Sequence, residues 1–524
     1  MVRIFRLAAL LPIASALLST NEAPHAKRVA IIGAGAAGSS AAYHLSLYAT
    51  EASIPVNISV FERNAYIGGR TTTVNVWDDP TFPVELGGSI FVEVNHIMVE
   101  AMERFRLDPA SLGEVDVEGI AMPELGVWNG EEFVLVTTKE DGWWDKAKLL
   151  WRYGAAPLWT NRLMKSAVGK FLTMYDEPVF PWKSLSEVVE KVGLLEATGV
   201  TGEQYLKTNG IGEAFAREII QASTRVNYAS NLGYIHGLET MVCMATNGAM
   251  AIKGGNWQIF ANMLNASSAS VHLNTTVLKI GKQSDNAYQV TLKNGQSDMF
   301  DEVILAAPLQ YSDLVIDPAP QHVPDEIPYM KLHTTLFATP HLLDPAVFNL
   351  APGTTVPQFI LTTLPPTESP ADSAGSPGFY SISIHNSGVN PHSTPPRVEY
   401  VYKIFSPAVI TSSFLSHIIG RPVSDHEAEK GDRNGTISWI KHKIWHSYPR
   451  EYPRVTFEEI SLDEGLWYTS GMESFISTME TSALSGKNVA KLIRDGWVGA
   501  KQGKMGVPDV FADGRGAELW EEEL

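Results

Sequence analysis

Val29-Ala30-Ile31-Ile32 is an unbroken apolar run that stops at Gly33 and reopens as small residues from Ala36. So short a run, ending in glycines, predicts a buried parallel strand, and the pattern from Ala36 to Ala49 predicts the helix that follows it. Residues 56–61 alternate apolar and polar side chains and predict a second strand. From about 96 to 247 the pattern turns helical and rich in aromatics, as in Trp143-Trp144-Asp145 and Trp151-Arg152-Tyr153-Gly154. Alternation returns in 271–277 and 288–292, and 303–307 is another short buried run. A final strand from Leu466 enters a loop at Gly471 and is followed by a helix over about 478–494. This succession predicts an α/β chain with a discontinuous Rossmann-type dinucleotide-binding domain made of 27–95, 248–310 and 460–500. An α+β substrate domain, made of 96–247 and 311–459, is inserted into it.

The first turn carries the chemistry. Gly33, Gly35 and Gly38 have the GxGxxG spacing between a strand and a helix. Gly33 permits the tight turn, Gly35 lets backbone approach a pyrophosphate, and Gly38 lets helix pack on strand. Ala36 and Ala37 begin the helix, whose free N–H groups and dipole favour an anion. Glu62 lies 24 residues beyond Gly38, where a dinucleotide fold sets a carboxylate against ribose hydroxyls, and Arg63 follows it. A second glycine pair with a cation, Gly68-Gly69-Arg70, can add backbone N–H groups and positive charge to the same ligand. Glu85-Leu86-Gly87-Gly88-Ser89 adds a third pair.

Composition narrows the class. The 524 residues are 44% hydrophobic with 13 Trp, enough for a large packed core. A net charge of −18 supplies no basic footprint for nucleic acid. Arg3 and Arg6, an apolar segment from Leu7 to Leu18 and Ala14-Ser15-Ala16 read as a signal peptide over about 1–20. Later segments are too short or too polar to span a membrane, although peripheral membrane contact stays open. Sequons at Asn57, Asn265, Asn274 and Asn434 agree with a secretory route. Cys243 is the single cysteine, so no internal disulfide forms. No HExxH, zinc-ligand spacing or GxSxG elbow occurs, so no metal site is expected. The Pro- and Ser-rich stretches 365–377 and 390–396 read as solvated loops, and 501–524 as a tail.

The succession of GxGxxG, Glu62, Gly68-Gly69-Arg70 and Glu85 to Ser89 resembles the glutathione-reductase-type flavoproteins of the amine-oxidase branch. That resemblance implies FAD. It puts Gly33, Gly35 and Gly38 at the pyrophosphate, Glu62 at the adenosine ribose and Arg70 at the pyrophosphate or ribityl side, and adds Ala36, Ala37, Arg63, Gly69, Gly87, Gly88 and Ser89 to the cofactor contacts. It also brings the main chain of Val277 to the adenine, Gly471 and Glu473 to the ribityl or pyrophosphate side, and Met479 and Glu480 to the flavin pyrimidine.

Arg225-Val226-Asn227-Tyr228, Trp151 to Gly154, Gly254-Gly255-Asn256-Trp257, Tyr402 to Ser406, Trp445 to Pro449 and Gly471-Met472-Glu473 are more particular. With them the chain, from about 27 to 495, resembles the prenylcysteine oxidase family. The resemblance implies an FAD-dependent oxidase that cleaves the thioether of farnesyl- or geranylgeranyl-cysteine. Oxygen and water would be consumed and prenyl aldehyde, free cysteine and hydrogen peroxide formed, in a lysosome, a vacuole or outside the cell. An amino acid head on a long apolar tail calls for a few polar groups in an apolar pocket, and Arg225, Asn227 and His446 are the candidates. Three alternatives stay open: an amine or polyamine oxidase, an oxidase of another isoprenoid-derived metabolite, and a flavin-fold binding protein without turnover.

Overall fold

A computed structural model describes residues 26–111, 122–138, 142–284, 286–368 and 372–504. The signal peptide expected over 1–20 and the acidic end of the tail lie outside them. Strand β1 (Lys27–Ile32) leads through the glycine turn into helix α1 (Ala36–Glu51) and then strand β2 (Val56–Phe61). β1 is central to a sheet in which β2 and the strand Glu302–Leu305 flank it in parallel. Leu466–Tyr468 extends the sheet beyond Glu302–Leu305, and Ser270–His272 extends it beyond β2. Segments from three distant parts of the chain therefore share one sheet, parallel except for its edge strand Ser461–Asp463, as expected of the discontinuous domain.

α1 is buried on nearly all sides, between this sheet and the C-terminal helix Met479–Lys504. Small residues make that approach close. A Cβ at Gly486 would fall 2.1 Å from the Ala37 carbonyl, and Ser40 Oγ donates to the Ala483 carbonyl at 2.6 Å.

The second body is a seven-stranded, mainly antiparallel sheet. Its long strands are Tyr329–Thr339, Ser381–Asn390, Arg397–Ser406 and Trp439–Pro449. The region 96–247 is mostly helical, with α2 (His96–Arg104), α3 (Gly142–Tyr153) and α4 (Ala156–Leu172). Within it, the alternating, valine-containing stretches Leu125–Trp128 and Phe133–Thr137 instead form a hairpin on this sheet, a departure from the helical expectation.

The alternating stretch 271–277 is also not one strand. Asn274, at φ +53, breaks it, so Ser270–His272 joins the parallel sheet while Val277–Lys282 pairs with Tyr288–Leu292. All four sequon asparagines are exposed: Asn57 on β2, Asn265 on the helix Trp257–Ser267, and Asn274 and Asn434 in loops. Cys243 is buried. Among the described residues, no helix is long and apolar enough to cross a membrane.

Candidate active site

The three glycines of the first turn do different work. Gly33 has φ +111, and a Cβ there would lie 2.7 Å from the Ala306 carbonyl oxygen. A Cβ at Gly38 would lie 1.9 Å from the Gly33 carbonyl oxygen, so both positions are closed by the protein itself. Gly35 is ordinary extended backbone, and its added Cβ would meet nothing nearer than Gly69 Cα at 3.9 Å. Protein does not occupy that space; the cavity does. No side chain caps α1 and no acid sits in its first turn, so the N-terminal N–H groups are left for an anion. Gly35 bridges to Gly68, whose N–H donates to the Ala34 carbonyl at 2.8 Å, bringing the second glycine pair alongside the first.

Glu62 ends β2 beside this turn. One carboxylate oxygen accepts from the Ala34 N–H at 3.0 Å, and the other from the Asn64 backbone and side-chain amides at 2.8 and 2.7 Å. A carboxylate has about four lone-pair sites, so it retains capacity for a hydroxyl. Thr275 donates its N–H to the Glu62 carbonyl, which carries Thr275, Thr276 and Val277 into the same wall.

A cavity of about 610 Å³ runs from this turn between the two bodies. Its nucleotide-like end contains Gly33, Gly35, Ala36, Ala37, Glu62, Arg63, Gly69 and Val277, while Gly88 and Ser89 line the cavity beside Met479 and Lys403. Its middle is framed by Arg70 and Glu473, whose charged groups are 2.6 Å apart. Arg70 also donates to the Ser447 carbonyl at 3.0 Å, and Tyr329 donates to Glu473 at 2.8 Å. Burial opposes the Arg70 charge, but Glu473 and the tyrosines Tyr329 and Tyr448 reverse the balance and hold its pKa above the usual value. The far end is apolar, with Phe91, Val168, Phe171, Leu172, Val242 and Ile476. Tyr228 and Tyr448 meet edge to face at 5.4 Å within it.

Several expected residues stand elsewhere. Arg225 does not line the cavity: it is fully buried, and its guanidinium donates to Thr362 Oγ1, Asn231 Oδ1 and the Ser373 and Ala374 carbonyls. Its donors are spent holding the segment around residues 373–379, so the expectation that it binds a substrate head is corrected. The stretch 365–377, expected to be a solvated loop, runs into this segment, yet its Ala374 is buried. Gly87 faces the Trp445 ring, 2.6 Å from an added Cβ, and Gly471 faces Glu458, so neither borders the cavity.

Met479 and the Glu480 backbone reach the wall, but the Glu480 carboxylate turns away. It accepts from the Ile97 and Met98 N–H groups at 2.9 Å and from Tyr175 at 2.8 Å, capping α2. Burial raises its pKa to about 7. Asn227 lines the cavity and donates to the Ser223 carbonyl at 3.0 Å. His446 also lines it, stacked 4.4 Å from Tyr311, whose carbonyl accepts from Arg63. That contact puts His446 with the groups framing Arg70 rather than at the apolar end.

The residues whose part in the site sequence reasoning passed over are Tyr311, Tyr329, Thr275 and Ser447. Tyr311 and Tyr329 belong to no short motif, while Thr275 and Ser447 sit in a sequon and in the Trp445 to Pro449 segment, neither of which signals these contacts. Behind the apolar wall lies a further cluster. Tyr228 donates to the Ser477 carbonyl at 3.0 Å, with Glu239, Glu451 and His236 buried beyond it. Burial lifts Glu239 to about 7 and drives Glu451 well above the carboxylate range, the second carboxyl adding to the effect on Glu451. His236, 3.6 Å from Glu451, is pushed down to about 3 by burial.

A parallel sheet with a glycine turn, joined to an antiparallel sheet across a deep cavity, is the architecture of the flavin amine oxidase fold. Cyclohexylamine oxidase from Brevibacterium oxydans superposes with a TM-score of 0.55 at 15% identity, over 90% of this chain and 100% of that one. A model of NAD(P)-binding Rossmann-like domains matches residues 31–105. Within that class the chain belongs to the prenylcysteine lyase family, whose model matches residues 136–505. Farnesylcysteine lyase of Arabidopsis thaliana is 29% identical over 89% of this chain and 87% of its own. Prenylcysteine oxidase 1 of Mus musculus is 28% identical, with 92% of each chain covered.

Proposed function

We propose that this protein is an FAD-dependent oxidase that cleaves the thioether of prenylcysteine. The net reaction joins prenylcysteine, oxygen and water to give prenyl aldehyde, free cysteine and hydrogen peroxide. The observation that carries the reading is the single cavity that joins a dinucleotide cradle to an apolar chamber.

The residues fit FAD. Gly35 leaves the approach open that a diphosphate needs, the uncapped α1 N-terminus supplies donors, Glu62 has acceptor capacity for ribose, and Arg70 offers positive charge. Bound there, FAD supplies a two-electron acceptor that no side chain of this chain can replace. The protein's own part is placement and shielding. Phe171, Leu172, Val168 and Ile476 take the prenyl tail and keep bulk water from it. Asn227 and His446, which both line the cavity, are the remaining polar candidates for the amino acid head, with Arg225 withdrawn. The buried Glu473 carboxylate fixes Arg70 so that its positive charge is held in place before the ligand arrives.

The expected route is secretory, supported by the N-terminal pattern and by four exposed sequons, with a degradative compartment or the cell exterior as destination. The test is the absorbance spectrum of the purified protein, followed by peroxide release with farnesylcysteine and with putrescine. Flavin absorbance and peroxide with farnesylcysteine alone are expected. Peroxide with the amine alone would make the protein an amine oxidase, and a colourless protein that takes up no FAD would end the oxidase reading.

A further inference from the structure

The corner between α3 and α4 exposes four large apolar side chains within ten residues. Trp151 is 92% exposed, Leu158 57%, Trp159 52% and Leu150 44%. Leu150 and Trp151 lie in the last turns of α3, Leu158 and Trp159 in the first turn of α4, and Gly154 at φ +58 turns the chain between them. A soluble surface has no use for a tryptophan this bare beside a second one; clustered exposed apolar groups mark an interaction site.

The charge around the corner indicates which kind. Residues 142–172 carry Lys146, Lys148, Arg152, Arg162, Lys165 and Lys170 against one acid within the segment, Asp145, in a chain whose net charge is −18. Arg152 is neutralised by Glu218 at 2.8 Å, which leaves the α4 cations as the basic side of the corner. Arg162 and Lys165 are exposed on α4, and the Arg162 guanidinium stands 5.3 Å from the Trp159 ring. Tryptophan and leucine flanked by basic residues form the combination that settles at the headgroup level of an anionic bilayer. The same helix continues into the cavity: Val168, Phe171 and Leu172 line its apolar end, and Val168 is about 14 Å along the axis from Trp159.

We propose that the α3–α4 corner docks the protein on anionic phospholipid membranes and presents the cavity to lipid-borne substrate along α4. The docking stands on the corner alone; the delivery rests on the prenylated-substrate reading above.

The test is flotation of the full chain with phosphatidylcholine vesicles, with and without phosphatidylserine. Wild type is expected to float with the phosphatidylserine vesicles and to be released as salt rises. The double variant W151E/W159E is expected to lose about tenfold or more in vesicle partitioning, with unchanged melting temperature and unchanged peroxide release from dissolved farnesylcysteine. R162E/K165E keeps the apolar anchors and should lose mainly the preference for phosphatidylserine. Wild type that stays unbound, or a W151E/W159E variant that floats like wild type, overturns the proposal. A lipid-free dimer that W151E/W159E dissolves, without flotation of wild type, would assign the corner to a second copy and overturn it too. Flotation without peroxide from farnesylcysteine would leave the docking standing and remove the substrate reading instead.

Discussion

The Arg70 guanidinium and the Glu473 carboxylate meet at 2.6 Å in the middle of the cavity, although one follows the second glycine pair and the other the C-terminal Gly471, about 400 residues on. The pair ties the dinucleotide wall to the C-terminal loop, and Tyr329 brings the second sheet into the same contact. The Glu473 side chain is 5% exposed and that of Arg70 36%, so solvent weakens the pair from one side only.

Arg70→Met should therefore cost about 1–3 kcal/mol of stability by leaving a buried carboxylate without its cation. Flavin retention after dialysis should fall with it. Glu473→Gln keeps an acceptor for Tyr329 and should cost less. Thermal melting with flavin absorbance checks the order; an Arg70→Met protein that matches wild type in both would show the pair to be idle.

Gly35 and Gly38 should separate binding from folding. Gly35→Val has room within the protein, so the fold should survive while flavin content drops by about tenfold or more. Gly38→Ala drives a Cβ into the Gly33 carbonyl and should destabilise the chain by about 1–3 kcal/mol. Apoprotein melting temperatures and flavin titration distinguish the two; a Gly35→Val variant that binds FAD normally would remove the pyrophosphate from this turn.

Arg225→Met should act on stability and not on substrate affinity. It strips the buried acceptors at Asn231, Thr362, Ser373 and Ala374 of their donor, a loss of about 3 kcal/mol or more. The melting temperature should fall while KM of the surviving enzyme stays near wild type. A raised KM at unchanged melting temperature would restore Arg225 to the substrate.

Glu239 gives a pH signature. Its pKa in the fold is raised to about 7 from an ordinary 4.5, so the native state holds a proton that the unfolded chain releases. Its contribution to stability is complete below pH about 4.5 and is lost as pH rises through about 7. Glu239→Gln, which stays neutral, should gain on wild type in melting temperature across that window. The difference between the two proteins reports Glu239 together with Glu451, whose raised pKa depends partly on Glu239, while His236, whose depressed pKa acts in the opposite sense, is common to both. A difference that does not vary from pH 5 to pH 8 would contradict a protonated Glu239.

The legible part of the site was local. Gly33, Gly35, Gly38 and Glu62 could be read because a strand, a turn, a helix and the next strand are contiguous, and their spacing is set by one supersecondary unit. Arg225 shows where this stops. It sits in a segment particular to the family, yet its role is fixed by Thr362, 137 residues away, and no local pattern reports that contact. Glu480 likewise looked like a flavin neighbour because it begins a helix at the cavity, whereas its carboxylate serves the N-terminus of α2, 383 residues earlier. The split at Asn274 was hidden because alternation persists on both sides of a residue with left-handed backbone. The two-sheet division was legible from the order of patterns, but the hairpin at 125–137 was masked by the helices around it.

The sheet that carries the glycine turn is completed by the hairpin Ser461–Asp463 and Leu466–Tyr468, and the turn is backed by the helix that begins at Met479. A ribosome adding ~5–20 residues per second has made β1, α1 and β2 long before either partner exists. The nucleotide cradle is thus opened first and finished last, so FAD can be loaded only onto an essentially full-length chain. For a chain that enters the secretory route during synthesis, that timing would place flavin loading after entry, making the supply of FAD inside the compartment a determinant of how much protein matures.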